Sequence, residues 1–548
     1  MIETQNQALP QDGLTGLKEN WRFDLSSGFQ IALIALPLSL GIALASGMPP
    51  MAGLIAAIVG GMVVSLISGS FVTITGPAAG LIVIVLGGVQ TLGQGDAAAG
   101  YRYTLAAIVI AGLIEAAFGL FKAGKLSAYF PVAAVHGMLA AIGVIILSKQ
   151  IHTVFGVKPH GHETLEVMSE IPHSIMHANP DIAVIGLICL GVTILWALLP
   201  WKNLKKIPAP LIVVILGIVL GHVMGLEKEH TSTLMGHPHL VGPKFLLNLP
   251  ANLAQGIVFP DFGKIASPAF WGVVLSLALI GSLESLLSAL AVDKLDVYGR
   301  KANLNRDIFA VGIGTAISGM LGGLPMISEI VRSSANVSNG ARTRWANFFH
   351  GLFILLSILL LPGLIQQIPL TALAALLVYT GYRLASPKEF VHTYHLGKEQ
   401  LLIFVVTLFS VLATDLLIGV ACGVVVNIIV VTLQGSPYKD LFKLKCRIEE
   451  SAPGHWVFKI QGASVFCNLI TLKHKLESLP PGKSILIEFH ESPLVDHTVM
   501  VYLQQFAKDY RRLGGQCEIA GLDAHTPVSE HPLATRKKQK VGVLNADF

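Results

Sequence analysis

The chain reads as an all-α polytopic membrane protein of about fourteen spans, built as seven-plus-seven inverted repeats, with a small α/β domain after it. Three observations lead there. Of its 548 residues 53% are hydrophobic and 13% charged, where a soluble globular protein carries about 25% charge; the mean hydropathy is +0.66. Apolar runs of bilayer-spanning length recur between residues 27 and 434. Two of those runs are broken by Gly and Pro at matching places in the two halves, the sequence mark of a transporter binding site.

Residues 1–24 are polar, and Trp21 to Asp24 fall at the membrane surface. The first repeat, 25–225, holds runs near 27–46, 51–68, 76–92, 103–121, 129–148, 181–199 and 207–225. An extracytoplasmic loop, 226–267, follows. The second repeat, 268–435, holds runs near 268–291, 308–321, 326–338, 346–362, 369–382, 400–414 and 416–434. With a cytoplasmic N-terminus, the inner loops collect Lys122 and Lys125; Lys202, Lys205 and Lys206; Lys294, Arg300, Lys301 and Arg306; Arg342 and Arg344; Arg383, Lys388 and Lys398. The short outer connections Ser46–Pro50, Gly363–Ile368 and Thr414–Leu417 carry no Lys or Arg, as the positive-inside rule demands. Seven spans per half make the repeats inverted and leave both termini inside.

The broken runs are Gly69–Gly80 (GSFVTITGPAAG) and Gly322–Asn336 (GGLPMISEIVRSSAN). Proline suits the first position of a helix. Half-helices starting after Pro77 and Pro325 therefore point their amide-rich, positive ends at each other near the midplane, where an anion is the natural guest. The expected substrate contacts are Thr75, Gly76, Pro77, Ala78 and Ala79 on one side, and Pro325, Met326, Ile327, Ser328 and Arg332 on the other. Arg332, about two turns in, supplies a countercharge, unless Glu329 three residues earlier ties it in a local ion pair.

Glu284 sits mid-span in LIGSLESLLSAL, and an intramembrane carboxylate is a functional candidate. Protonated it would carry a proton; ionised it would help Ser288 and Ser328 ligate Na⁺, with no other cofactor expected. Glu115 and Asp415 are further candidates, Asp415 more as a helix cap, while His136 reads as a satisfied buried histidine. The outer-loop histidines (His152, His160, His162, His173, His177, His230, His237, His239) lack tight ligand spacing and read as loop surface, with no metal site. Five scattered cysteines without CxxC indicate neither a disulfide framework nor zinc. No nucleophile elbow, Walker loop or HExxH exists, so an enzyme and primary active transport are both disfavoured, and nothing points to nucleic acid.

From about Lys445 the composition becomes that of a small soluble domain, 445–530. Trp456–Gln461, Ser484–Phe489 and Glu518–Ala520 read as strands, and Asn468–Ser478 and Thr498–Leu513 as amphipathic helices, with a helix start at Asp496-His497-Thr498. The basic tail 531–548, with Arg536, Lys537, Lys538 and Lys540, reads as disordered and able to meet anionic headgroups.

LPLSLGIALASGMPPMAGLIAAIVGG with SGSFVTITGPAAG, then LESLLSALAVDKLD and NLNRDIFAVGIGTAISGMLGGLPMISEIVRSSANVSNGARTR, resemble the SulP (sulfate permease) anion transporters, and LVDHTVMVYLQQF resembles their C-terminal STAS domain. The resemblance runs from Asp24 to Leu522. It implies a core domain moving against a gate domain, a substrate site between the third and tenth spans, and a homodimer in a membrane, here a bacterial plasma membrane. Carried over by position, the site takes the N-termini after Pro77 and Pro325, Glu284 and Arg332. Leu38 and Ile42 stand where members often have Gln and an aromatic, and Val331 where a Ser often precedes the arginine, which removes polar contacts. The LPLSLGIALASG and IVRSSAN wording is similar to the branch fused to carbonic anhydrases, which implies bicarbonate. Thr498 lies near a position phosphorylated in bacterial regulatory relatives. The expected function is secondary active transport of a small inorganic anion, bicarbonate or sulfate, by alternating access with Na⁺ or H⁺. The alternatives are a dicarboxylate or nucleobase permease of the same fold, or a non-transporting regulatory anchor.

Overall fold

The structure, a computed structural model, describes residues 9–124, 130–161, 164–200, 207–233, 238–250, 253–436, 438–480, 482–512 and 514–538. Lys125, Lys202, Lys205, Lys206, His162, His237 and Lys540 lie outside the described residues.

The first half comprises α1 (Gly13–Ala45), α2 (Pro50–Val59, continued by a π turn over Gly60–Val64), β1 (Ile74–Pro77), α3 (Ile82–Gly93), α4 (Ala97–Leu120), α5 (Val132–Val154), α6 (Pro180–Leu198) and α7 (Ala209–Val223). The second comprises α8 (Pro268–Leu295), α9 (Leu304–Met320), β2 (Met326–Glu329), α10 (Ile330–Ser338), α11 (Trp345–Leu360), α12 (Leu370–Leu384), α13 (Pro387–Leu396), α14 (Lys398–Ala413) and α15 (Leu416–Leu433). Among the described residues seven helices are long and apolar enough to cross a membrane by length and composition. The chain divides into two compact units. One takes the described residues up to Gly124 with Ile142–Leu384; the other takes those of 125–141 with Ala385 onward.

Two boundaries differ from the sequence reading. The polar lead is not a separate segment: α1 begins at Gly13, capped by the Asp12 carboxylate. Asp24 is buried there, accepting from the Thr343 hydroxyl (2.5 Å) and the amides of Arg342 (2.8 Å) and Thr343 (3.0 Å). Nor do helices begin directly after Pro77 and Pro325. Both prolines abut short strands instead, and the helices start later, at Ile82 and Ile330. Of the β-branched run Val72–Thr75, Ile74 and Thr75 enter the strand.

Asp415 caps α15 by accepting the Ile418 amide at 2.8 Å. His152, grouped with the loop histidines, is fully buried, bonded to Ser174 Oγ (2.6 Å) and Val167 O (3.0 Å). His136 departs the other way. Its side chain is 40% exposed and its Nδ1 lies 3.3 Å from Glu389 Oε2.

The C-terminal domain is a four-stranded sheet in the order β3-β4-β5-β7, from β3 (Cys446–Ala452), β4 (His455–Ile460), β5 (Ser484–Glu488) and β7 (Gln516–Ala520). β3–β4 is antiparallel; β4–β5 and β5–β7 are parallel. Helices α16 (Leu469–Glu477) and α17 (His497–Arg512) pack on it around Phe458, Ile487, Phe489 and Leu503. The tail is ordered as far as Lys538. β9 (Arg536–Lys538) pairs antiparallel with both β8 (His525–Pro527) and β6 (Leu494–Val495), so the domain extends past residue 530 and the expected disorder of 531–538 is overturned. Strand pairing with partners distant in sequence overrides the local charge of the tail.

Asp496 starts α17 by accepting the Val499 amide (2.8 Å) and also takes the Phe466 amide (2.6 Å). Burial pushes its carboxyl up to about 7, against those hydrogen bonds. The neutral form is thus favoured in the folded domain, and that contribution is lost as pH rises from the ordinary carboxylate value through about 7. Asp496→Ala is expected to cost about 1–2 kcal/mol, lowering the calorimetric Tm of this domain by roughly 5–10 °C. The decline of Tm from pH 5 to 7.5 is expected to flatten in the variant.

Candidate functional site

β1 and β2 pair antiparallel, Ile74 opposite Glu329, Thr75 opposite Ser328, Gly76 opposite Ile327 and Pro77 opposite Met326. Inside a membrane every backbone polar group needs a partner. Each broken span supplies the other's, and polar side chains finish the work. Asn336 Nδ2 donates to Val72 O (2.8 Å), while its Oδ1 accepts from Ser27 (2.6 Å). Ser333 Oγ takes the Ile74 amide at 2.8 Å and donates to Glu329 O. Asn347 Nδ2 donates to Gly60 O (3.1 Å) and its Oδ1 accepts the Thr75 amide (3.3 Å). Asp307 on α9 takes the hydroxyls of Ser68 (2.5 Å), just ahead of the first broken run, and of Ser328 (3.0 Å) in the second.

The lead into β2 is pinned as firmly. Leu324 N–H bonds Ala52 O (3.0 Å), Ser318 Oγ bonds Leu324 O (2.7 Å) and Tyr101 Oη bonds Gly322 O (2.6 Å). Gly322 takes φ +92°, which a side chain would strain. The π turn of α2 lies against the ladder: a Cβ on Gly60 would come 2.6 Å from Thr75 O. Such bulges concentrate at functional sites.

Arg332 falls in the first turn of α10, not two turns in, because β2 displaces the helix start. Its side chain is 1% exposed and none of its three guanidinium nitrogens has a hydrogen-bond partner among the described residues. Glu329 Oε1 stands 3.7 Å from Nη2, close enough for attraction but too long for a hydrogen bond. The guanidinium lies on Gly76, where a Cβ would sit 2.6 Å from Nη1. A cation in the first turn adds to the positive helix end instead of offsetting it. The result is a pre-formed, buried positive centre beside the strand pair.

Glu284, 6% exposed, fills the space beside Gly80. A Cβ there would come 1.9 Å from Oε1, an oxygen without a hydrogen-bond partner among the described residues. One residue on, Ser285 Oγ accepts the Ser328 amide at 3.4 Å, so α8 touches the ladder directly. Ser288 is a turn further along α8 and half-buried. Ala78 and Ala79 lie in the link ahead of α3, whose first bonds are accepted by Ala79 and Leu81. Those amides precede the helix, as a dipole-end site requires.

The structure therefore brings Gly76, Arg332 and Glu329 together, and Gly80 with Glu284. The hydroxyl of Ser328 is committed to Asp307, which leaves it lone pairs only. Sequence reasoning missed Asp307, Asn336, Asn347 and His350. The signal was there: each is a polar residue in or beside an apolar run, and such residues face the bundle interior. His350 is fully buried, with Nδ1 3.3 Å from Asn347 Oδ1 and Nε2 unpartnered among the described residues. Glu115 is also a buried carboxyl, standing against Gly281 of α8.

A helical membrane domain with two broken spans paired at a buried positive centre defines a membrane transporter rather than an enzyme. The model of the sulfate permease family matches residues 22–407, and the chain belongs to that family. It is 25% identical over 517 residues to the putative sulfate transporter YvdB of Bacillus subtilis, covering 92% of each chain. It is 24% identical over 527 residues to the bicarbonate transporter BicA of Synechocystis, covering 92% of this chain and 89% of that one. In fold it is similar to the transmembrane domain of a cyanobacterial BicA (TM-score 0.61, 23% identity, 74% of this chain and 97% of that one). It is also similar to SLC26A9 (TM-score 0.65, 16% identity, 92% of this chain and 85% of that one).

Gly80→Ala is expected to push the Glu284 carboxylate out of its place, and Gly76→Ala the Arg332 guanidinium. Both displaced groups end flexible side chains, so each variant is expected to elute as folded protein in size-exclusion chromatography. Solute uptake into proteoliposomes is expected to fall at least about tenfold, an effect of about 1.4 kcal/mol or more.

Proposed function

We propose that this protein is a secondary active transporter of a small inorganic oxyanion, of the bicarbonate or sulfate kind for which its relatives are named. One observation carries the reading: the buried Arg332 guanidinium has no hydrogen-bond partner where two broken spans meet. A buried charged group left without hydrogen bonds costs about 1–3 kcal/mol or more. An oxyanion accepting from its N–H groups and from the amides ahead of α3 removes that cost. Glu329 at 3.7 Å offsets part of the guanidinium charge, which keeps the anion from being held too tightly to leave.

Alternating access across about fourteen spans in a plasma membrane, as a homodimer with cytoplasmic termini, completes the reading. Glu284, with Ser288 and Ser328 nearby, is the coupling group for Na⁺ or H⁺, since its free oxygen is aimed at the link before α3. Uptake of labelled bicarbonate, sulfate and dicarboxylates into proteoliposomes, with and without Na⁺ and at two pH values, tests this. Absence of uptake of all three would return the chain to a regulatory anchor.

Arg332→Gln is expected to raise KM roughly 10- to 100-fold, the worth of one charge-assisted contact of about 1.5–3 kcal/mol. Glu284→Gln is expected to leave the fold intact and make the residual uptake indifferent to Na⁺ and pH. Unchanged cation or pH dependence in that variant would remove Glu284 from the coupling step.

A further inference from the structure

Away from the site, five histidines gather around the C-terminal domain: His136 on α5, His392 and His395 on α13, His497 at the start of α17, and His531 in the strap Val528–Thr535 between β8 and β9. Four of them, His136, His392, His497 and His531, line one cavity of about 290 Å³ together with Leu396 and Val501. The His392 and His531 rings meet edge to face with centroids 5.9 Å apart.

The strap is held by bonds that specify protonation states. Ser529 Oγ lies 2.8 Å from His395 O and 2.9 Å from Leu396 O, so its hydroxyl ties the strap to the end of α13. The Leu533 amide donates to His531 Nδ1 at 3.1 Å, and Leu533 O accepts from His497 Nδ1 at 2.8 Å. An amide N–H can donate only to a bare lone pair. His531 must therefore be neutral, with any ring proton on Nε2, for the clamp on Leu533 to exist. A proton arriving at Nδ1 takes the same lone pair the amide uses.

We propose that this histidine-lined cavity is a proton-operated latch: neutral His531 holds the strap on the end of α13, and protonation of His531 releases it. α13 joins α12 to α14, so the latch ties a connector between membrane helices to the C-terminal domain. The surroundings work in the same direction. Burial, then His392 and His395, hold His531 below the ordinary histidine range. Burial also lowers His497, with His531, His136 and His392 opposing its charge and the bond to Leu533 O favouring it. Among the described residues the carboxylate paired with the cluster is Glu389, whose Oε2 lies 3.3 Å from His136 Nδ1. Because His531 binds a proton better when the strap is undocked, the closed latch is fully present above the ordinary histidine value of about 6.5 and is lost as pH falls below it. The cluster is partly exposed, so protons reach it from water.

Hydrogen exchange of the full-length protein in detergent or nanodiscs, read at residues 528–535 and corrected for intrinsic pH dependence, tests the latch. In the wild type, exchange is expected to rise about tenfold or more from pH 7.5 to 5.5, a factor of ten per histidine displaced by one unit. His531→Gln keeps an acceptor that does not titrate, and the rise is expected to vanish. Ser529→Ala is expected to exchange faster at every pH. Uptake by proteoliposomes is expected to change over the same pH interval in the wild type and not in His531→Gln, with rates at pH 7.5 within about twofold. A wild-type strap indifferent to pH overturns the proposal, as does an unaltered pH response in His531→Gln. An uptake profile identical in both proteins overturns the link to transport.

Discussion

Everything about the membrane domain depends on how two interrupted spans satisfy their backbones without water. A strand in hydrocarbon leaves rows of unpaired N–H and C=O groups, each worth several kcal/mol. β1 and β2 solve this by pairing with each other. Because they come from opposite halves of the chain, neither break is tolerable alone. The side chains that close the remaining gaps, Asp307, Asn336, Asn347 and Ser333, come from three helices, so the ladder also fixes where α9, α10 and α11 stand.

The ladder in turn decides the charge of the site. By delaying the start of α10 to Ile330 it brings Arg332 into the first turn, where a cation and the helix end add. Gly76 and Gly80 matter for what they omit. The room they leave is taken by the Arg332 guanidinium and the Glu284 carboxylate, one on each side of Pro77. A positive centre and a separate carboxyl thus stand on the same short stretch of chain, an arrangement in which occupancy by an anion and by a cation or proton can influence each other.

The C-terminal domain obeys a different solvent and a different logic. Its parallel strands are covered by helices, as parallel sheets require. Its last strand is recruited from a lysine- and arginine-rich tail, leaving the strap before it to close on α13. The bonds at Leu533 are individually ordinary, yet together they admit one protonation state of His531.

The sequence by itself determined the membrane class, the location of both breaks, and that Arg332 and Glu284 are charged groups set in apolar surroundings. Each of these is written in composition, in the length of apolar runs, or in an isolated charge where lipid forbids one. Three strands and both long helices of the C-terminal domain were equally legible, since alternation and 3.6-residue periodicity are properties of contiguous residues, whereas the edge strand Cys446–Ala452 was not. Only the tertiary structure decided that Pro77 closes a strand and Pro325 leads into one instead of opening helices, that Asp307 and Asn347 satisfy groups at the breaks, that Asp24 and His152 are buried while His136 is not, and that Arg536–Lys538 is a strand. All of these turn on partners tens to hundreds of residues away, such as Thr75 with Ser328 or Ser27 with Asn336. A pairing energy contributed by a distant segment leaves no trace in the local pattern, because it exists only once the chain has folded back on itself.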